Sequence, residues 1–125
     1  MVKILAVDDN PANLRIIERA FRKTDYVILK ASDGPSAFDL AKSELPDIIL
    51  LDIVMPEMDG YAVCGQLKSE SSTESIPVIF VTALTEGVDK EKGISLGAVD
   101  FVTKPFNSRA LAERVEIQLM KLRQK

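Results

Sequence analysis

Histidine is missing from all 125 residues. Its absence removes the usual general base near neutral pH, the commonest zinc ligand and any Ser–His or Cys–His nucleophile pair. Chemistry in this chain has to run on carboxylates, hydroxyls, lysine and, where needed, a metal. A single cysteine, Cys64, rules out an internal disulfide and favours the cytoplasm as the compartment. Positive charge is not in excess. The net charge of −3 argues against direct nucleic-acid binding, which needs a basic surface for the phosphates. No apolar run reaches membrane-spanning length; the longest, around Ile48 to Leu51, is strand-sized. The opening MVKILAVDD lacks the longer apolar segment and small-residue cleavage site of a signal peptide. No membrane partner is expected.

What is present looks ordinary in bulk, with 46% apolar and 28% charged residues. The length suits one domain, residues 1–125, with a real core. Five short apolar runs recur: VKILAV, YVILKA, DIILL, PVIFV and AVDFV. The third and fourth are almost wholly apolar, which predicts strands covered on both faces, as in a parallel sheet. Helix-start signals lie between the runs. Asn10-Pro11 opens the first helix, with Leu14, Ile17 and Phe21 on one face. Asp33-Gly34-Pro35-Ser36 opens the second, with Ala37, Leu40 and Ala41 inward. Asp59 caps the third, which carries Val63, Cys64 and Leu67. Thr85-Glu86 opens the fourth and Asn107-Ser108 the fifth, whose stripe is Leu111, Val115, Leu119 and Leu122. Alternation of strand and helix five times predicts an α/β fold, a doubly wound parallel sheet with helices on both faces. The fourth helix is weak on paper, because Gly87 and Gly93 each cost about 1 kcal/mol relative to alanine in a helix interior. SESSTES, Ser69 to Ser75, reads as a solvated polar loop. Cys64 and Met58 are read as packing residues.

Ligands of open parallel sheets bind outside the carboxyl ends of the strands. Here the first strand ends in Asp8-Asp9, the third in Asp52, the fourth in Thr82-Ala83 and the fifth in Thr103-Lys104-Pro105. Any one of these alone reads as a turn residue. Three acids, a hydroxyl and a lysine at one edge call for a common chemistry. The acids would repel and so require a cation, and Mg²⁺ accepts one or two carboxylates while completing its shell with water and phosphate oxygen. Lys104 and Thr82 suit the equatorial oxygens of a transferring phosphoryl group. A carboxylate oxygen of Asp52 can then attack phosphorus to give an acyl phosphate.

The acidic pair in ILAVDDNP, LLDIVMPEMDG, the VTA of the fourth strand and LGAVDFVTKPF together resemble the receiver domain of two-component response regulators. The resemblance covers essentially the whole chain. It implies a flavodoxin-like (βα)5 fold with strand order 2-1-3-4-5, and phosphate transfer to Asp52 from a sensor histidine kinase or histidine phosphotransfer protein. Carried over by position, it implies Mg²⁺ held directly by Asp9, Asp52 and the Val54 backbone carbonyl, and by Asp8 through water. It further implies Thr82 and Lys104 on phosphoryl oxygens, a cis Lys104–Pro105 bond, and Phe101 as an aromatic switch moving with Thr82. An ordinary core aromatic accounts for Phe101 equally well. Apolar Val54 and Leu84 stand where some relatives carry polar side chains, so self-dephosphorylation is expected to be slow. The signal would pass through the fourth helix, fifth strand and fifth helix, a face suited to homodimerisation or partner binding. The last helix, from about 108 to 125, resembles those that continue into an output domain.

Other readings compete. Haloacid-dehalogenase-type phosphatases use an aspartate nucleophile with Mg²⁺, but need a second acid two residues on, where this chain has Val54. A P-loop reading fails because Gln66-Leu67 follows Gly65 in place of lysine and a hydroxyl residue. An EF-hand reading fails at Met55 and Glu57. An interaction module with a dead site is weaker, since every site position carries a reactive type.

Overall fold

The computed structural model describes residues 1–83 and 88–124. The elements alternate as β1 (Lys3–Val7), α1 (Pro11–Ala20), β2 (Val27–Ala31), α2 (Gly34–Glu44), β3 (Ile48–Leu51), α3 (Gly60–Ser69), β4 (Val78–Ala83), α4 (Lys90–Ser95), β5 (Asp100–Lys104) and α5 (Ser108–Arg123). The strands form one sheet in the order β2-β1-β3-β4-β5, with every neighbouring pair parallel. This is the flavodoxin-like arrangement. No described helix is long and apolar enough to cross a membrane.

Strand periodicity explains the layers. Successive side chains point to opposite faces, so a strand apolar throughout feeds two cores. Leu5, Val7, Ile49, Leu51, Val78 and Phe80 face α2 and α3, where they meet Ala37, Ala41, Val63, Cys64 and Leu67. The intervening Ile4, Ala6, Ile48, Leu50, Ile79 and Val81 face α1 and α5, against Leu14, Ile17, Leu111, Val115 and Leu119. Leu40 and Leu122 are half-buried at the margins of these clusters.

Each described helix opens on an Asn or Asp side chain. Asn10, Asp33, Asp59, Asp89 and Asn107 accept amides of the first turns of α1 to α5 in that order. These bonds satisfy amide groups that a helix start otherwise leaves without a partner. The predicted Thr85-Glu86 opening of the fourth helix, with Gly87, lies outside the described residues. The described helix begins at Lys90 with Asp89 as its cap. The fifth strand is also shifted, running from Asp100 to Lys104, so Ala98 and Val99 precede it.

The SESSTES segment is exposed at Ser69, Ser71, Ser72, Glu74 and Ser75, and departs from the solvated reading at Thr73. Thr73 is fully buried, and its hydroxyl donates to the Leu67 carbonyl at 2.7 Å. A polar tract gives no sign of this, because the bond is made to a carbonyl in the last turn of α3, which also takes the Glu70 amide at 3.4 Å.

Gly60 is where the chain turns back beneath Asp52. Its amide donates to the Ile53 carbonyl at 2.8 Å. A Cβ there would sit 2.2 Å from the Asp52 carbonyl oxygen and 2.8 Å from the Ile53 Cα. Both are backbone atoms that cannot swing aside. Gly65, in the same helix, has nothing within 4 Å of the equivalent position. Thermal or urea unfolding should therefore give opposite results for two alanine substitutions. Gly60→Ala is expected to cost about 1–3 kcal/mol by overpacking, and Gly65→Ala to gain up to about 1 kcal/mol through helix propensity.

Candidate functional site

Parallel pairing brings four strand ends together. Val7 lies level with Leu51, so Asp8 and Asp52 leave the sheet side by side. Thr82 is level with Thr103, and Ala83 with Lys104. The Asp8 amide donates to the Ala31 carbonyl at 3.1 Å, and the Asp52 amide to the Val7 carbonyl at 3.0 Å. Sheet bonding thus holds the backbone of both acids rigidly.

Asp8 and Asp52 are 2% and 5% exposed, while Asp9 is exposed. One oxygen from each of the three lies within 4.8 Å of the others. Buried carboxylates are costly unless paired and hydrogen-bonded. Lys104 supplies the pairing, its Nζ donating to Asp8 Oδ2 at 2.6 Å and to Asp52 Oδ2 at 3.1 Å. Asp8 Oδ1 accepts the Asn10 amide at 2.9 Å.

Titration follows from these contacts. Burial pushes the Asp8 carboxyl above its usual range, against the pull of Lys104 and the Asn10 amide and with the help of the Asp52 charge. Burial works against the Lys104 ammonium, yet its bond to Asp8 and the charges of Asp52 and Asp8 outweigh it and hold the ammonium above its ordinary value. The lysine therefore stays charged.

Thr82 is fully buried, and its Oγ1 has no hydrogen-bond partner among the described residues. An unmade buried hydrogen bond costs about 1–3 kcal/mol. The hydroxyl sits on the strand beside Lys104 and can serve an acceptor brought to this edge.

Most of the predicted residues converge here. Asp8, Asp9, Asp52 and Lys104 form one cluster, with Thr82 on the adjoining strand end. The Lys104–Pro105 peptide bond is cis. Val54 is 56% exposed, and Leu84 lies outside the described residues. Phe101 is 7% exposed and packs against Phe80 with ring centroids 6.1 Å apart. Asp59 stays out of the cluster, accepting the Ala62 amide at 2.9 Å as a helix cap.

Two features were missed from sequence. One is that Lys104 itself neutralises the acids, a contact spanning 96 positions. The other is Tyr61, whose hydroxyl bonds the backbone of Asp89. In sequence Tyr61 is one more large residue in a helix, and no spacing rule separates it from the core. The donor set at the edge is made of hard oxygens, and it suits a hard cation such as Mg²⁺ approached from the Asp9 side.

Comparison with known proteins agrees with this geometry. Residues 4–116 match the family described as the response regulator receiver domain. The chain is 46% identical over 113 residues to the response regulator PleD of Caulobacter vibrioides, covering 90% of this chain and 25% of PleD. It is 39% identical to the probable transcriptional regulator ycf27 of Guillardia theta, covering 94% of this chain and 45% of that protein. It therefore spans less than half the length of these two relatives. Among solved structures, the signal receiver domain of a signal transduction histidine kinase from Syntrophus aciditrophicus is similar. That match has a TM-score of 0.90 and 34% identity, over 100% of this chain and 95% of the other.

The acid cluster makes two predictions for chelator-treated protein. Asp8 binds its proton more tightly folded than unfolded, so its charged form costs stability at neutral pH. That cost disappears as pH falls below the unfolded value near about 3.9. Asp8→Asn, which keeps an acceptor for Lys104, should raise Tm at pH 7 in EDTA, with the gap closing towards pH 4. Adding Mg²⁺ at ten times its Kd should stabilise the wild type by about 1.4 kcal/mol. Calorimetry should show a smaller gain for Asp8→Asn.

Proposed function

Since the chain belongs to the family of response regulator receiver domains, we propose that it is a signalling switch whose phosphoacceptor is Asp52. The observation that carries this reading is the buried Asp52 carboxylate held beside Asp8 and Asp9 with Lys104 at 3.1 Å. The donor is a phosphohistidine on a sensor histidine kinase or histidine phosphotransfer protein. One Asp52 oxygen attacks phosphorus, a P–O bond forms and the P–N bond breaks. The bonding pair leaves with the imidazole nitrogen, which takes a proton from water.

This chain's own groups orient the reaction. Lys104 exchanges a carboxylate oxygen for a phosphoryl oxygen, and Thr82 gains the acceptor its hydroxyl lacks. Mg²⁺, held by Asp9, Asp52 and the Val54 carbonyl, with Asp8 acting through water, would offset the charge gathering on the phosphoryl oxygens. The histidine comes with the donor, which fits a chain that has none. Val54 in place of an acid disfavours rapid phosphoester turnover, so the product is a held signal and not a released phosphate.

Modification adds about −1.5 to −2 charges at the sheet edge. The response passes through Thr82 and α4 to the face formed with β5 and α5; Ile94 of α4 and Ile117 of α5 are half-exposed. A homodimer or a C-terminal output domain is the expected reader of that face.

Incubation with a phosphorylated histidine kinase and Mg²⁺ should add one phosphoryl group by intact mass. Asp52→Asn or excess EDTA should reduce the transfer rate at least about a hundredfold, the scale of losing a nucleophile or a principal electrostatic group. Sustained turnover of a phosphomonoester would favour the phosphatase reading instead. Beryllofluoride with Mg²⁺ should shift the chain towards a dimer in sedimentation, and no change in association would remove the dimer from the scheme.

A further inference from the structure

Helix α4 rests on a row of three aromatic rings. Tyr61 of α3, Phe80 of β4 and Phe101 of β5 follow one another with centroid separations of 5.7 Å and 6.1 Å. Gly93 allows the close approach, since a Cβ there would come within 2.9 Å of two Phe80 ring carbons. Lys92 places its ammonium 4.6 Å from the Tyr61 ring centre, and Lys90 lies 5.4 Å from that of Phe101. Cation–ring and ring–ring contacts of this kind tolerate small shifts.

The Tyr61 hydroxyl is different because it is directional. It donates to the Asp89 carbonyl at 2.9 Å and accepts the Asp89 amide at 2.6 Å. Asp89 is the residue from which α4 starts, its own carboxylate taking the amides of Glu91 at 3.0 Å and Lys92 at 3.3 Å. One phenol therefore holds both backbone groups of the α4 cap. Tyr61 itself follows Gly60, whose amide is tied to the Ile53 carbonyl one residue beyond Asp52. Acceptor loop, α3 and the start of α4 are joined in a short chain of contacts.

We infer that Tyr61 is a positioning residue for the phosphoryl response, its hydroxyl latching α4 in the arrangement adopted while Asp52 is unmodified. The inference rests on Asp52 being the phosphoacceptor. The arrangement is the unmodified one because Lys104 is bonded to Asp8 and Asp52 themselves. A contact made in only one of two states biases the equilibrium towards that state by its own free energy, and releasing it raises apparent affinity for whatever favours the other.

Tyr61→Phe keeps the ring, the Phe80 contact and the Lys92 cation, and removes only the hydroxyl. Wild type, Tyr61→Phe and Asp52→Asn are titrated with beryllofluoride and Mg²⁺, followed by amide NMR shifts. Hydrogen exchange of Lys90 to Gly93 is measured on the unmodified protein. Loss of two neutral hydrogen bonds should tighten mimic binding by Tyr61→Phe about three- to tenfold and speed α4 exchange by a similar factor. A hydroxyl with a merely structural role would lower Tm without raising affinity. Equal or weaker mimic binding by folded Tyr61→Phe overturns the latch and leaves the phosphoacceptor reading standing. A wild type that binds the mimic no better than Asp52→Asn overturns both.

Discussion

The ammonium of Lys104 between two buried carboxylates is the interaction on which the site depends. An apolar parallel sheet can hold acids at its edge only if something answers their charge. Lys104 does so from the far end of β5, and its bonds to Asp8 and Asp52 draw the third and fifth strand ends to the first. The lysine is thus the counter-ion of both acids at once. It keeps both buried carboxylates tolerable at the edge of an apolar sheet. Asp9, the exposed acid of the cluster, leaves a side from which a cation can enter without breaking that pairing.

Thr82 and the aromatic row connect this edge to the surface. The Thr82 hydroxyl, without a partner among the described residues, lies two positions beyond Phe80 on the same strand, and Phe80 is the ring on which Gly93 of α4 rests. A change at the strand end therefore has a short packed route to α4. The route is made of one ring in contact with two others, not of a long chain of weak couplings.

Much of this was legible in the residues. Asn10-Pro11, Asp33 and Asp59 announce helix starts because their side chains can accept amides that lack partners, a local need visible in a few letters. The all-apolar third and fourth runs announce strands buried on both faces. Asp8, Asp52, Thr82 and Lys104 stand out because a polar residue at the end of an apolar strand is easy to see. Strand order was not readable from periodicity and came with the family resemblance. The burial of Thr73, the two hydrogen bonds between Tyr61 and the Asp89 backbone and the Lys104–Asp8 pair depend on partners up to 96 positions away. Residue type shows what a side chain can bond, but the fold decides which atom arrives.

The two-sided sheet has a consequence for how such a chain can diversify. Alternate residues of each central strand belong to separate clusters, one under α2 and α3, the other under α1 and α5. Among the described residues the two clusters are separate, so substitutions that leave the shared strand backbone in place should be close to additive between them, and each half can drift on its own evolutionary clock. A lineage can therefore rebuild one flank to suit a new neighbour while the other keeps its packing and the chemistry between them stays in register.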